Sequence, residues 1–330
     1  MDEATRRAVE TARAQLPDDI DARRVVFGFD GYLDRVREVV ADRTDPDSYQ
    51  RLPRLADFRD RLDRSVEAGS SLSYEWLEDG RRTGGHTCHL GRAFGTWDFV
   101  PTLVGMYGEP VRETFAQEFG EYDLVTLGEP GVTDAVEFDD GKLMLTEIGD
   151  TMTLDWAGLD DRFGHDRFLE RLDGAGLLGV GYWSETPATP SVLSGLRDRW
   201  GDIEDPPETV LVDPGDVRKL EIDRLRSGRE AIGELVDVTD VVVSANRAET
   251  DVLADAYAGE ADRAFGTAAE AVFDAVEPTW FVGHGIDRSV VVTADGTESV
   301  SVSAVQDPEI PPTSGDPSTA ELAPGGRQRP

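Results

Sequence analysis

The stretch VTDVVVSANRAETDVLADAYAG (residues 238–259) reads as a strand, a short turn and a helix. Its apolar run Val241–Val243 is followed shortly by Asn246 and Glu249, separated by two residues, at the start of the helix. That spacing sets an amide and a carboxylate on one face of a first helical turn, at the carboxyl end of a strand. A carboxylate in that place can hold Mg²⁺ directly or through water, because Mg²⁺ takes oxygen ligands and keeps several waters. The same pair also fits ordinary helix capping, with Asn at the cap and Glu three residues on. Both readings stand at this point.

Outward from that unit the pattern repeats. RRVVFGFDGYL (23–33), FVPTLVGMYG (99–108), GAGLLGVGYWS (174–184) and ETVLVDPGD (208–216) read as strands. TCHLGRAFGTW (87–97) and TPSVLSGLRDRW (189–200) read as helices. TWFVGHGIDRSVVVTADGTESVSV (279–302) reads as a strand, a Gly turn and a hairpin with an Asp-Gly corner. Strand and helix in alternation predict an α/β fold with a mostly parallel sheet covered on both faces. Two segments break the alternation. Residues 35–83 are highly charged, with a helical stretch DSYQRLPRLADFRDRLDRSV (47–66), and DAVEFDDGKLMLTEI (134–148) reads as a hairpin. Together they predict a small β-rich lid with a helical insert.

The chain has 330 residues, with 67 Asp plus Glu against 33 Lys plus Arg, a formal net charge of −34. Only Lys142 and Lys219 are lysines. The acids are spread through segments that keep regular apolar patterns, which predicts a folded, halophilic chain in a salt-rich cytoplasm rather than a disordered acidic tail. Nonspecific nucleic-acid binding needs a basic face, so nucleic acid is excluded as a partner. A single cysteine, Cys88, excludes an intrachain disulfide. The charged amphipathic N-terminus lacks a signal-peptide core, and no run has the apolar length of a membrane span. The expected location is cytoplasmic.

Other segments carry candidate chemistry. Asp30 and Asp34 flank the turn after the first strand, where carboxylates can accept hydrogen bonds from sugar hydroxyls. In TGGHTCHLG, Gly84 and Gly85 allow close backbone approach to a ligand and open a helix whose free N–H groups face it. His86, Cys88 and His89 lie within four residues, but no second Cys/His cluster completes a tetrahedral metal set. In DPGDVRK, Asp213 and Asp216 could share a cleft and Arg218 could meet a phosphate; a plain turn fits equally. Gly283 and Gly285 follow another strand, where small residues could admit a nucleotide. Near the end, Gly315, Asp316 and Pro317 form a helix start, an anion site in which Asp316 could accept the proton of an attacking hydroxyl.

In this order the segments resemble the ribokinase/PfkB family of carbohydrate kinases, over most of residues 24–316. The resemblance rests on the first strand with Asp34, the Gly84-Gly85 pair, DPGDVRK, NRAE matching the family's N-x-x-E, the Gly turn at GHG, and SGD where the family has G-A-G-D. It implies a three-layer ribokinase-like core with a mostly parallel sheet and a small β lid. It also implies transfer of the γ-phosphate of ATP to a sugar hydroxyl with Mg²⁺ assistance. On that basis Asp316 is the general base, Ser314 and Gly315 form the anion hole, and Asn246 and Glu249 organise Mg²⁺ and its water. Asp30, Asp34, Gly84, Gly85 and His89 hold a sugar or nucleoside-like substrate, and Gly283 and Gly285 meet the nucleotide.

The sequence departs from the family in three places. His86 and His89 stand where the family has Asn in the Gly-Gly helix, and the 35–83 lid piece is longer than usual. Thr313 and Ser314 replace the small residues of G-A-G-D, and Pro324-Gly325-Gly326 stop any helix after Asp316. The expectation is a truncated or frameshifted end. Two alternatives to an ATP-dependent kinase follow: a catalytically impaired relative that only binds ligand, and an ADP-dependent sugar kinase. The expected organisation is core at 1–34, 84–130 and 158–306, lid at 35–83 and 131–157, and a degraded anion-hole motif with a flexible tail at 307–330. A homodimer through the lid is left open.

Overall fold

The structure, a computed structural model, describes residues 23–259 and 264–301, together with Arg6, Arg7, Glu10, Thr11 and Ala14. Ser314, Gly315 and Asp316, the expected anion hole and base, therefore lie outside the described residues. In chain order the strands are β1 (Arg24–Gly28), β2 (Tyr32–Asp45), β3 (Ser48–Arg51), β4 (Trp76–Gly84), β5 (Val100–Gly105), β6 (Asp123–Thr126) and β7 (Gly131–Phe138). They continue with β8 (Gly141–Glu147), β9 (Leu177–Gly181), β10 (Thr209–Asp213), β11 (Asp240–Asn246), β12 (Trp280–His284), β13 (Arg288–Thr293) and β14 (Gly296–Ser301). The helices are α1 (Leu55–Glu67), α2 (His86–Gly95), α3 (Glu113–Phe119), α4 (Trp156–Arg162), α5 (His165–Leu172), α6 (Thr189–Arg199), α7 (Ile222–Val236), α8 (Arg247–Ala258) and α9 (Phe265–Val276).

The chain divides into two compact units. The first runs to Tyr32, resumes over Thr83–Gly131 and resumes again from Ile148. It holds a nine-stranded sheet in the order β14-β13-β12-β11-β10-β9-β1-β5-β6. From β6 through β12 every neighbouring pair is parallel, and β13 and β14 add antiparallel strands at the edge. Strands β1, β5 and β9 are buried along nearly their whole length because helices cover both of their faces, whereas β10 to β13 alternate buried and partly exposed residues. One face buries Val26, Val180, Val212, Val243 and Phe281 in a large cluster with the aliphatic sides of helices α5 to α9. The other buries Val25, Phe27 and Leu103 with Cys88, Phe115 and Phe119. A mostly parallel sheet with helices is the architecture expected from the alternation, but among the described residues the second helical layer covers only its β9, β1 and β5 part.

The second unit contains Leu33–Arg82 and Val132–Glu147. Its sheet runs β3-β2-β7-β8, with β4 pairing β2. Val39, Leu52, Val136 and Phe138 form its core, and Leu55, Phe58 and Tyr74 pack against them. Two boundaries differ from the expectation. Asp47–Arg51 was expected to be helical, but Ser48–Arg51 is strand and the helix begins only at Leu55. Pro53 disfavours helical geometry at the residue before it, and Arg54 is still extended. The hairpin expected to reach residue 157 ends at Glu147. Beyond it Leu154 and Leu159 are buried in the core of the first unit, which draws that segment out of the hairpin.

Candidate active site

In the first unit, the carboxyl ends of β1, β9, β10 and β11 meet the N-termini of two helices, the place where open α/β sheets bind ligands. Asp30, just beyond β1, is fully buried. Its Oδ2 accepts from the backbone N–H of His86 at 2.7 Å and its Oδ1 from that of Thr87 at 2.9 Å. The Thr87 hydroxyl donates to Asp30 Oδ1 as well. Burial pushes the Asp30 carboxyl up, and the donors from Thr87 and His86 oppose that shift. Asp30, expected to contact substrate, holds the first N–H groups of α2. Both oxygens are taken by the helix that the Gly-Gly turn opens.

That turn explains why Gly85 is glycine. Its φ is 96°, and a Cβ there would come within 2.8 Å of the Asp30 carboxylate. His86, the first residue of α2, is buried against the ends of β9 and β10. Its Nε2 is 4.0 Å from Asp213 Oδ2, and its ring lies 5.2 Å from that of Tyr182. Its Nδ1 is buried without a hydrogen bond. Burial, with a smaller contribution from His89, pulls His86 down to about 3. His89 is pulled down to about 4 by burial and by the Arg92 guanidinium, whose Nη1 lies 3.3 Å from His89 Nδ1. Both imidazoles are neutral at pH 7. A Cβ on Gly181 would meet His86 at 2.5 Å, so the close fit of His86 over β9 also requires a glycine there.

Asn246 and Glu249 form a complete capping box at the start of α8. Asn246 Oδ1 accepts from Glu249 N at 3.0 Å, and Glu249 Oε2 accepts from Asn246 N at 2.8 Å. Capping, one of the two readings of this pair, is thus present in the structure. It does not use the whole carboxylate: Glu249 Oε1 accepts no hydrogen bond among the described residues. Burial, then the charges of Asp213 and Asp216, push Glu249 up to about 7, against the Asn246 N–H and Arg218. Arg218, the candidate phosphate contact, is paired with Asp216 at 2.7 Å. Asp216 is pulled up by burial but held below the usual carboxylate range by Arg218 and Lys219.

Tyr32 and Glu185, both missed from the sequence, complete this edge. The Tyr32 hydroxyl donates to Glu185 Oε2 at 2.7 Å, and Lys219 Nζ lies 3.5 Å from Glu185 Oε1. The two partners are 153 residues apart, so no local pattern signals them. Gly283, at the end of β12, is buried, and a Cβ on it would lie 3.0 Å from Phe265. The room expected above it for a nucleotide is filled by that ring. Gly285 is beside Phe265 and Arg247 without being covered. A cavity of about 390 Å³ lies alongside, lined by Arg247, Phe265, Gly266, Asp287, Arg288 and Ser299 among others. Among the described residues no three His, Cys, Asp or Glu side chains group to hold a metal ion, and Cys88 is buried in the core. The local metal reading of His86, Cys88 and His89 has no support in the geometry. In the second unit, Asp34 is buried on β2, next to Arg35, which pairs with Asp134 at 2.6 Å.

The fold belongs with the ribokinase-like carbohydrate kinases. The structure is similar to a carbohydrate kinase from Agrobacterium tumefaciens (TM-score 0.51, 13% identity, covering 83% of this chain and 74% of that one). It is also similar to Schistosoma mansoni adenosine kinase (TM-score 0.54, 12% identity, 88% and 83%) and to Escherichia coli phosphofructokinase-2 (TM-score 0.53, 13% identity, 84% and 78%). The sequence is more specific. The prokaryotic ketohexokinase family model matches residues 1–326. A ketohexokinase of Haloferax volcanii is 52% identical over 323 residues, 98% of this chain and 86% of that protein. The chain belongs to the prokaryotic ketohexokinase family and is a carbohydrate kinase. No helix among the described residues is long and apolar enough to cross a membrane.

Proposed function

We propose that this chain phosphorylates a ketohexose, with ATP as donor. The observation that carries the reading is 52% identity to a ketohexokinase across 98% of the chain. The family match extends through residue 326 and so includes the Ser314-Gly315-Asp316 segment. In this reading Asp316 accepts the proton of the attacking sugar hydroxyl. The new O–P bond forms as the bond to the bridging β–γ oxygen breaks, and ADP leaves. Ser314 and Gly315 supply the N–H groups that stabilise the transferring phosphoryl group. Asp34 and the Gly84-Gly85 turn contact the sugar, together with His89, a neutral ring that can donate or accept a hydrogen bond. Gly285 borders the nucleotide.

The residues present fit Mg²⁺ in one manner. The capping box uses Asn246 Oδ1 and Glu249 Oε2, which leaves Glu249 Oε1 to hold a water of the hydrated ion rather than to cage the metal. Mg²⁺, when bound, would neutralise charge on the phosphates. Burial, then the charges of Asp213 and Asp216, raise the Glu249 carboxyl, so its charge depends on a nearby cation.

A coupled assay in high salt, with Mg²⁺, fructose and either ATP or ADP, tests the proposal. Phosphorylated ketose with ATP supports it. ADP as the sole donor would replace the donor, and no transfer to fructose by folded protein would refute the reading.

A further inference from the structure

The second unit contains a groove lined by none of the residues assigned above to the transfer reaction. It has a volume of about 470 Å³ and lies between α1 and the β2–β3 strand pair, lined by Gln50, Arg51, Asp57, Asp60, Arg61 and Arg64 among others. Along α1, Asp57 lies three and four residues before Asp60 and Arg61, and Arg64 lies four and three after them, so the four share one side of the helix.

Both acids of this groove are gripped by arginines outside it, while Arg61 keeps only a through-space attraction to Asp57. Arg54 grips Asp57 through Nη2 at 2.6 Å and Nε at 3.1 Å, and Arg59 holds Asp60 at 2.7 Å. Neither Arg54 nor Arg59 lines the groove. Arg51 is balanced by Asp139 at 2.7 Å and Glu38 at 3.4 Å. Arg61 and Arg64 form no salt bridge among the described residues. Arg61 Nη1 donates to the Ala41 carbonyl at 3.3 Å, and Arg64 Nε donates to the Asp60 carbonyl at 3.1 Å. Each guanidinium is thereby tethered while most of its N–H donors remain available.

Two tethered guanidinium forks with N–H donors to spare on one helix face offer the charge-assisted donors that a phosphate group takes. In a chain of net charge −34 the long-range field repels anions. At about 1 M salt, however, the Debye length falls to about 3 Å, and contact-range groups decide what binds. We propose that Arg61 and Arg64, with Gln50 and Arg51 as walls, form a binding site for the phosphate group of a small molecule. Binding there would bridge α1 to the strand pair.

Calorimetry on the full chain in 1 M potassium chloride tests this, with saturating non-hydrolysable ATP analogue filling the transfer site. The probes are inorganic phosphate and a hexose monophosphate. The variants are Arg61→Gln/Arg64→Gln and, as a control elsewhere in the second unit, Arg82→Gln, which neither lines the groove nor holds one of its acids. All three substituted side chains are partly or fully exposed, so the variants should fold, and a circular dichroism melt checks that. Wild type and Arg82→Gln should bind at least one probe equally, and the double variant should bind it at least about tenfold more weakly. Amide exchange across α1 should slow with the probe in wild type and not in the double variant. Which probe binds identifies free or esterified phosphate as the source. Binding of neither probe by wild type, or unchanged binding by the double variant, would overturn the proposal.

Discussion

The N-termini of α2 and α8 both begin at the carboxyl edge of the large sheet, and each is satisfied by a carboxylate. At α2 that carboxylate comes from Asp30, 56 residues away in sequence, and both its oxygens are taken by backbone and side-chain donors in a fully buried setting. At α8 it comes from Glu249, three residues from its partner, and one oxygen is left over. Asp30 faces donors on the helix it caps; Glu249 is pushed up to about 7 by burial and then by the negative charges of Asp213 and Asp216. The difference separates two uses of one device. A cap satisfied on every side fixes a turn, whereas a cap left partly open and electrostatically unfavourable has capacity for a cation.

Four substitutions would break or sharpen that contrast. Asp30→Ala should have the largest effect, on stability. It leaves the buried His86 and Thr87 N–H groups unpaired, each at about 1–3 kcal/mol, and a thermal melt should show the midpoint fall by roughly 5 °C or more. Gly85→Ala attacks the same cap through its φ of 96° and the 2.8 Å approach to Asp30. It should lower the midpoint by a similar amount, and an unchanged melt would show that the turn can relax.

Glu249→Gln should act on catalysis instead. Removal of a group that holds a metal through water typically costs about 10–100-fold in activity, read as kcat with saturating substrates. The same variant tests the charge argument. The native carboxyl keeps its proton to about 7, whereas the unfolded chain releases it near 4.5. The unfolded state therefore binds fewer protons in that window, and wild-type stability falls as pH rises through it. Denaturant unfolding at pH 5 and pH 8 should show Glu249→Gln losing less stability across the window than wild type, by on the order of 2 kcal/mol. Parallel pH profiles would remove the raised carboxyl from the account. Asn246→Ala should have the smallest effect, a loss of about 1 kcal/mol from an uncapped helix.

The two caps also show what a sequence exposes. The Asn246/Glu249 box was legible because its donors and acceptors lie within four residues and follow an apolar strand. The alternation of strands and helices was legible for the same local reason. Asp30 was visible as a residue but not as a cap, since nothing in GFDGYLD points to His86 and Thr87. Tyr32 with Glu185, and Phe265 above Gly283, are likewise contacts made only by the fold. The start of α1 was misplaced because the charged run hid strand β3, although Pro53 marked the break. Asp316 was placed by order and resemblance alone.

The most direct measurement is kcat and unfolding midpoint determined together, at pH 8 in high salt, for Asp30→Asn and Glu249→Gln. The account predicts that Asp30→Asn melts earlier while its folded fraction keeps near-wild-type kcat. Glu249→Gln should melt no earlier than wild type and turn over at least about tenfold more slowly. A Glu249→Gln enzyme with wild-type kcat, or an Asp30→Asn enzyme that is stable but inactive, would contradict it.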